Sequence, residues 1–256
     1  MMEYARVYNE SHKLCFGLIG TSEARLKQSI SELQQVYGIE ASRILYAVMD
    51  VRNREAMKEF IERVEVVFDG INVLVANAGV ADYSLRKNHP QMEVSEIQHR
   101  VLDINLKGLM NTVLPIIDRL NREKITETGY WKDQSISICM VSSVFAEFSH
   151  SSFFTLVKKT VLEYGKFLRW TFVKNPHVSI TVAMPGFVDT HIGQAFQNDK
   201  FMVLDPETTA ELMREGIERG DEVIMFPLLL YIVAKLTQVL PQGLFEPINK
   251  VLKLET

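Results

Sequence analysis

The sequence predicts an α/β protein: a doubly wound, mostly parallel sheet with helices on both faces. Three observations carry that prediction. Short apolar runs recur at 13–19, 44–49, 73–79, 135–141 and 177–184. They are near-continuously apolar rather than alternating, which is how strands buried on both faces read. Between them, apolar residues return every three or four positions. Strand therefore alternates with helix, and the strands come out parallel.

The chain opens on 2–10, which reads as the end of a helix. The run 13–19 is the first strand. Gly20-Thr21-Ser22-Glu23 turns the chain, and the Ser22 hydroxyl is placed to accept an N–H left free in the first turn of the next helix. Leu26, Ile30, Leu33 and Val36 give that helix its apolar stripe through Tyr37. A strand at 44–49 ends at Asp50-Val51. Met57, Phe60, Ile61, Val64 and Val67 line a helix over 56–68. Val73-Leu74-Val75-Ala76-Asn77-Ala78-Gly79 is the stretch around which the rest is organised, a buried strand ending in a small polar elbow. There the Asn77 amide can hold an adjacent strand, and Ala78 and Gly79 leave room for a flat ligand to approach the backbone. A long helical region covers about 94–120. The polar run 121–134, with Gly129 as a breaker, reads as a surface loop. A strand at 135–141, a helix at 153–175 and a strand at 177–184 follow. Asp205-Pro206-Glu207 opens a helix to Gly220, with proline at its first position.

At 256 residues, 47% apolar and 23% charged, the chain makes one globular domain with a full core, 1–256. A net charge of −4 leaves no basic footprint and argues against nucleic acid as a partner. The two cysteines, Cys15 and Cys139, sit in apolar strand-like runs and read as buried, reduced thiols of a cytoplasmic protein. The start lacks the apolar core of a secretory signal. The six histidines include no pair at metal-ligand spacing, so no metal site is expected. The apolar run from Ile224 is too short to span a membrane and is interrupted by Pro227. It completes a pocket, packs on a partner, or lies on a membrane surface through 224–252.

After Gly79 come Asp103-Ile104-Asn105, Val141-Ser142-Ser143, Lys158 and Pro185-Gly186-Phe187-Val188-Asp189-Thr190. Together with Asn77-Ala78-Gly79, their order and approximate spacing resemble the short-chain dehydrogenase/reductase family, from about residue 13 to residue 192. The resemblance implies a Rossmann-like fold and an oxidoreductase that reduces a carbonyl or oxidises an alcohol with NADP or NAD. It makes Asn105 the asparagine that supports a water between the lysine and solvent, and Ser143 the serine that hydrogen-bonds the substrate oxygen. It makes Lys158 the lysine that binds the cofactor ribose and lowers the pKa of a tyrosine from about 10. That tyrosine position falls on Phe154, which has no proton to give. Losing a general acid costs about 10²–10⁴-fold in rate. Thr155 is far too weakly acidic to replace it, and Tyr164 lies over two turns further along the helix.

For the cofactor, the resemblance matches Asp50 to the residue that hydrogen-bonds the adenine and Val51 to its packing neighbour. Asn77, Ala78 and Gly79 would line the adenosine ribose. Pro185, Gly186, Val188 and Thr190 match the stretch that contacts the nicotinamide. Gly20-Thr21-Ser22 offers no carboxylate to repel a 2′-phosphate, and Arg25 is near, so NADP is preferred over NAD. The segment 205–256 becomes a helical tail over the substrate side. Its apolar character points to a small apolar substrate or to contact with the cytosolic face of a membrane. Relatives pair through helices near 94–120 and 153–175, so a homo-oligomer is expected.

The front of the family pattern is missing. Gly17 and Asp50 are 33 positions apart, room for one helix and one strand. The run 13–19 therefore aligns with the family's second strand, and the first strand and its glycine-rich turn are absent from this sequence. That strand lies mid-sheet, and without it each backbone group left unpaired costs about 1–3 kcal/mol. Either the sheet closes up with another strand, or a truncated gene model or splice form has removed a preceding segment. Two functional readings follow: an NADP-dependent oxidoreductase, and a catalytically inactive relative that binds or regulates.

Overall fold

A computed structural model describes residues 1–8, 13–123, 135–148, 152–189 and 203–239. The elements run α1 (Met2–Tyr8), β1 (Phe16–Gly20), α2 (Glu23–Gln35), β2 (Ile44–Val48), α3 (Arg54–Phe68), β3 (Val73–Ala76), α4 (Asp82–Asn88) and α5 (Val94–Leu102). A π-helical segment (Asp103–Gly108) leads into α6 (Leu109–Glu123), then β4 (Ile136–Val141), α7 (Phe153–Thr171), β5 (Val178–Pro185), α8 (Pro206–Arg219), β6 (Val223–Phe226) and α9 (Leu228–Val239). Most of the polar loop at 121–134, Thr190, and the tail beyond 239 lie outside the described residues.

The helix ends follow local chemistry. Ser22 caps α2 by accepting from Arg25 N, as its position predicts. Asn53 caps α3 in the same way, and Asp69 closes that helix in the left-handed region at φ 56°. Asp205 caps α8 ahead of Pro206, and Gly220 ends it at φ 69°.

The strands are parallel, but they form two sheets rather than one. β1 pairs with β2 from Phe16 opposite Ile44 to Gly20 opposite Val48. The second sheet has the order β3-β4-β5-β6. Both sheets share a roof. On α3, Val64 and Phe60 lie over Gly17 of β1, while Met57 and Ile61 pack with Ala76 of β3. No described strand stands between β1 and β3, so the sheet does not close up. Val73 and Val75 on the free side of β3 stay 37% and 40% exposed.

The helical region at 94–120 is continuous, α5 passing through the π segment at 103–108 into α6, and α4 precedes it unannounced. One correction concerns the tail from 205, which is not wholly helical, because Val223–Phe226 extends the sheet as β6 beside β5. Four apolar residues after a glycine stop are satisfied by a neighbour's free edge rather than by their own turn.

The main core joins α3, α6 and α7 to one face of β3, β4 and β5, through Met57, Ile61, Val113, Ile138, Met140, Val161 and Val182. Cys139, Val141, Ala183 and Ile217 fill the other face beneath α8. A side chain at Gly165 would collide with Val182, so α7 lies tightly on β5. That contact fixes the part of α7 that carries Lys158.

Candidate active site

The C-terminal ends of β3, β4 and β5 bring the sequence-predicted residues together. Ser152 caps α7, accepting from Thr155 N at 3.2 Å. One turn on, Lys158 points inward and is 4% exposed. Its Nζ donates to Val141 O at 2.8 Å, and its own carbonyl accepts from Ser142 Oγ at 2.7 Å. The last residues of β4 therefore hold Lys158 at both ends. Burial alone pushes its ammonium down to about 8.

Asn105 arrives from the π segment, whose extra residue per turn re-aims the helix. Its Nδ2 donates to Val80 O at 2.8 Å and Val101 O at 2.9 Å. Its Oδ1 is buried with no hydrogen-bond partner in the protein. Gly79 is what lets these groups meet. A Cβ there would stand 2.7 Å from Asn105 Oδ1 and 3.4 Å from Lys158 Nζ. Asn77 and Ala78 lead into this corner from β3 and are exposed.

Phe154 occupies the expected acid position, with its ring centroid 5.6 Å from Lys158 Nζ. The ring packs among Leu85, Ile97, Val101 and Val157. Thr155 shares a hydrogen bond with the capping Ser152, and Tyr164 packs at the core, where burial pushes its phenol up. Neither replaces a tyrosine.

Ser143 Oγ donates to Pro185 O at 3.2 Å and accepts from Phe145 N at 3.3 Å. It joins the ends of β4 and β5 as well as capping a turn. Asp50 is engaged by Arg52, whose guanidinium holds the carboxyl below its ordinary value. Val51 O accepts from Asn111 Nδ2 at 2.9 Å. Gly186 N donates to Phe226 O, and a Cβ there would meet Pro227 and Leu230 at 2.9 Å. Val188 bridges to Leu204.

Sequence reasoning missed several partners. Ser142, beside the predicted serine, is the one that fixes Lys158. Phe145 lies edge-on to Phe187 with centroids 5.0 Å apart, an apolar wall beside Ser143. Lys235 and Gln238 of α9 both reach Glu147 at 2.8 Å and fasten that helix to the wall. Burial pushes the Glu147 carboxyl up, but these donors outweigh it and leave it below its ordinary value. The Ser-Ser pair was a visible signal; the long-range Glu147 contacts had none.

The donor set of this corner suits the ribose of a nicotinamide dinucleotide: an ammonium with spare N–H groups on Lys158 and an orphaned acceptor on Asn105 Oδ1. Among the described residues no glycine-rich turn stands between β1 and β3 to take a pyrophosphate.

Comparison with known proteins bears on the fold and the family. An alcohol dehydrogenase from the archaeon Thermococcus sibiricus, complexed with 5-hydroxy-NADP, superposes with TM-score 0.66 at 24% identity, over 88% of this chain and 90% of that one. A short-chain dehydrogenase from Mycobacterium paratuberculosis bound to NAD superposes with TM-score 0.61 at 20% identity, over 84% and 87%. Both show the fold. Human short-chain dehydrogenase/reductase 3 is 24% identical over 253 residues, 97% of this chain and 78% of its own. An uncharacterized oxidoreductase of Myxococcus xanthus is 24% identical over 198 residues, 77% of this chain and 73% of its own. The profile of the short chain dehydrogenase family matches residues 3–200, and with Asn105, Ser143 and Lys158 gathered at the strand ends, the chain belongs to that oxidoreductase family.

Proposed function

We propose that the chain binds NADP in preference to NAD and reduces the carbonyl, or oxidises the alcohol, of a small apolar molecule. The observation that carries this is the meeting of Lys158 Nζ and the partnerless Asn105 Oδ1 over the bare edge of Gly79. Lys158 and Asn77, Ala78 and Gly79 would hold the ribose, and Asp50 with Val51 the adenine end. Pro185, Gly186 and Val188 stand on the nicotinamide side. When bound, the reduced nicotinamide supplies a hydride. Ser143 turns its hydroxyl from Pro185 O to orient the substrate oxygen. The Phe145–Phe187 wall and the buried Leu230 exclude water and favour an apolar substrate. Arg25, exposed in the first turn of α2 with no carboxylate at 20–22, supports NADP.

Calorimetric titration of the purified chain with NADPH and NADH tests this reading. The expected result is micromolar binding, tighter for NADPH. A folded chain that gives no heat with either overturns it.

Phe154 favours a second reading: a relative that binds the dinucleotide but does not turn substrate over. Two surfaces bear on partners under either reading. α7 exposes Leu156, Phe167 and Trp170, with Val173 just past its end, suited to pairing with a second copy as a homo-oligomer. α9 exposes Leu228, Leu229, Ile232 and Leu236, suited to peripheral contact with a lipid surface from the cytoplasmic side. Among the described residues no helix is long and apolar enough to cross a membrane.

A further inference from the structure

We propose that Lys158 is itself the acid–base group of this site, exchanging a proton directly with the substrate oxygen. The proposal rests on the reading above, that a nicotinamide dinucleotide binds at this corner.

An ammonium has three N–H donors. Among the described residues one is used, on Val141 O, and two remain. The Phe154 ring flanks the nitrogen at 5.6 Å and attracts a cation, but it offers no proton and no ordinary acceptor. Asn105 Oδ1 packs against Gly79 on the same side as Lys158 Nζ and has no hydrogen-bond partner in the protein. Buried donors and acceptors are rarely left so in a finished protein, and a pair of them beside one glycine marks a place for a water or a ligand oxygen.

Among the described residues no charged group acts on the ammonium. Asp103 of the π segment pairs with Lys107, Arg100 of α5 with Glu96, Asp50 with Arg52, and Glu147 with Lys235. His99 and Lys159 are at the surface, and the Cys139 thiol of β4, pushed up to about 12 by burial, stays neutral. Desolvation is thus the sole cause of the drop to about 8. That value lies close to neutral pH, where a general acid works best.

In reduction, one Nζ–H bond breaks and an O–H bond forms on the carbonyl oxygen, leaving a neutral amine. The new C–H bond takes its hydride from the reduced nicotinamide dinucleotide. A proton from solvent, passed by a water held on Asn105 Oδ1, restores the ammonium. The acid form is complete below about pH 8 and is lost above it.

The test follows the lysine side-chain resonances of a 13C,15N-lysine-labelled chain through a pH titration, with and without NADP. One resonance, absent from Lys158→Met, titrates near 8, well below the ordinary lysine value of about 10.4. Reduction of short-chain apolar aldehydes by NADPH falls about tenfold per pH unit above the same break. Lys158→Arg keeps a cation but no group that titrates in this range. It binds NADPH more weakly by calorimetry, because Lys158 also holds the ribose, and at saturating NADPH it loses about 10²-fold or more in turnover and loses the break. Lys158 titrating with the other lysines, or Lys158→Arg keeping both rate and break, overturns the step while NADPH binding stands. A folded wild-type chain that binds no cofactor overturns the binding reading, and this step falls with it.

Discussion

Phe154 decides what the site can do. Its ring sits one helical turn before Lys158, in van der Waals company with α4 and α5, so a tyrosine there would need only space for one hydroxyl. Phe154→Tyr is therefore expected to fold, to leave NADPH affinity unchanged, and to raise carbonyl reduction by less than the 10²–10⁴-fold that an acid adds to a site without one, because Lys158 already supplies the proton. Steady-state rates beside calorimetry check this, and an unchanged rate supports the non-catalytic reading instead. At this scale the sequence was informative wherever a role attaches to one side chain. Asn105, Ser143 and Lys158 all meet at the strand ends. It was silent where roles depend on what folds against a residue. Nothing in Asp50 shows that Arg52 takes its carboxylate, and nothing in Val141 shows that its carbonyl anchors the lysine.

Among the elements, strands buried on both faces and helices with a clear stripe were legible, because burial writes its period into the sequence. The π segment was not. One extra residue in a turn shifts the stripe by less than the tolerance of the pattern, yet it is what aims Asn105 at Gly79. β6 was hidden for another reason: four residues are too few to separate a strand from a buried helix. The apolar faces of α7 and α9 make an element-scale prediction. Sedimentation velocity should show a dimer or larger, reduced to monomer by Trp170→Glu. Phosphatidylcholine vesicles should carry down the wild type but not a Leu229→Glu, Ile232→Glu double variant. A monomeric wild type contradicts pairing through α7, and equal vesicle binding by both chains contradicts lipid contact through α9.

The whole molecule is a parallel α/β fold divided along one line. β1 and β2 pack under the same helix as β3, yet no described strand joins them, and Val73 and Val75 lie open beside the division. The spacing between Gly17 and Asp50 led to the expectation that 13–19 stands in the place of the family's second strand. It did not foretell whether the remaining strands would close ranks, because that depends on whether α3 can hold two sheets at once through Val64 on one side and Met57 and Ile61 on the other. They stay apart, and Ser143 and Lys158 lie on the four-stranded side with α7, while Asp50 and Val51 follow β2 of the other sheet.

The central claim is that the four-stranded half still forms a dinucleotide site. Amide hydrogen exchange with and without NADPH tests it most directly, because protection is read residue by residue. At 100 times the dissociation constant, amides at 77–80, 105, 142–143 and 186–188 should slow by up to about 100-fold. Unchanged exchange there, or protection confined to residues away from the ends of β3, β4 and β5, would contradict the account.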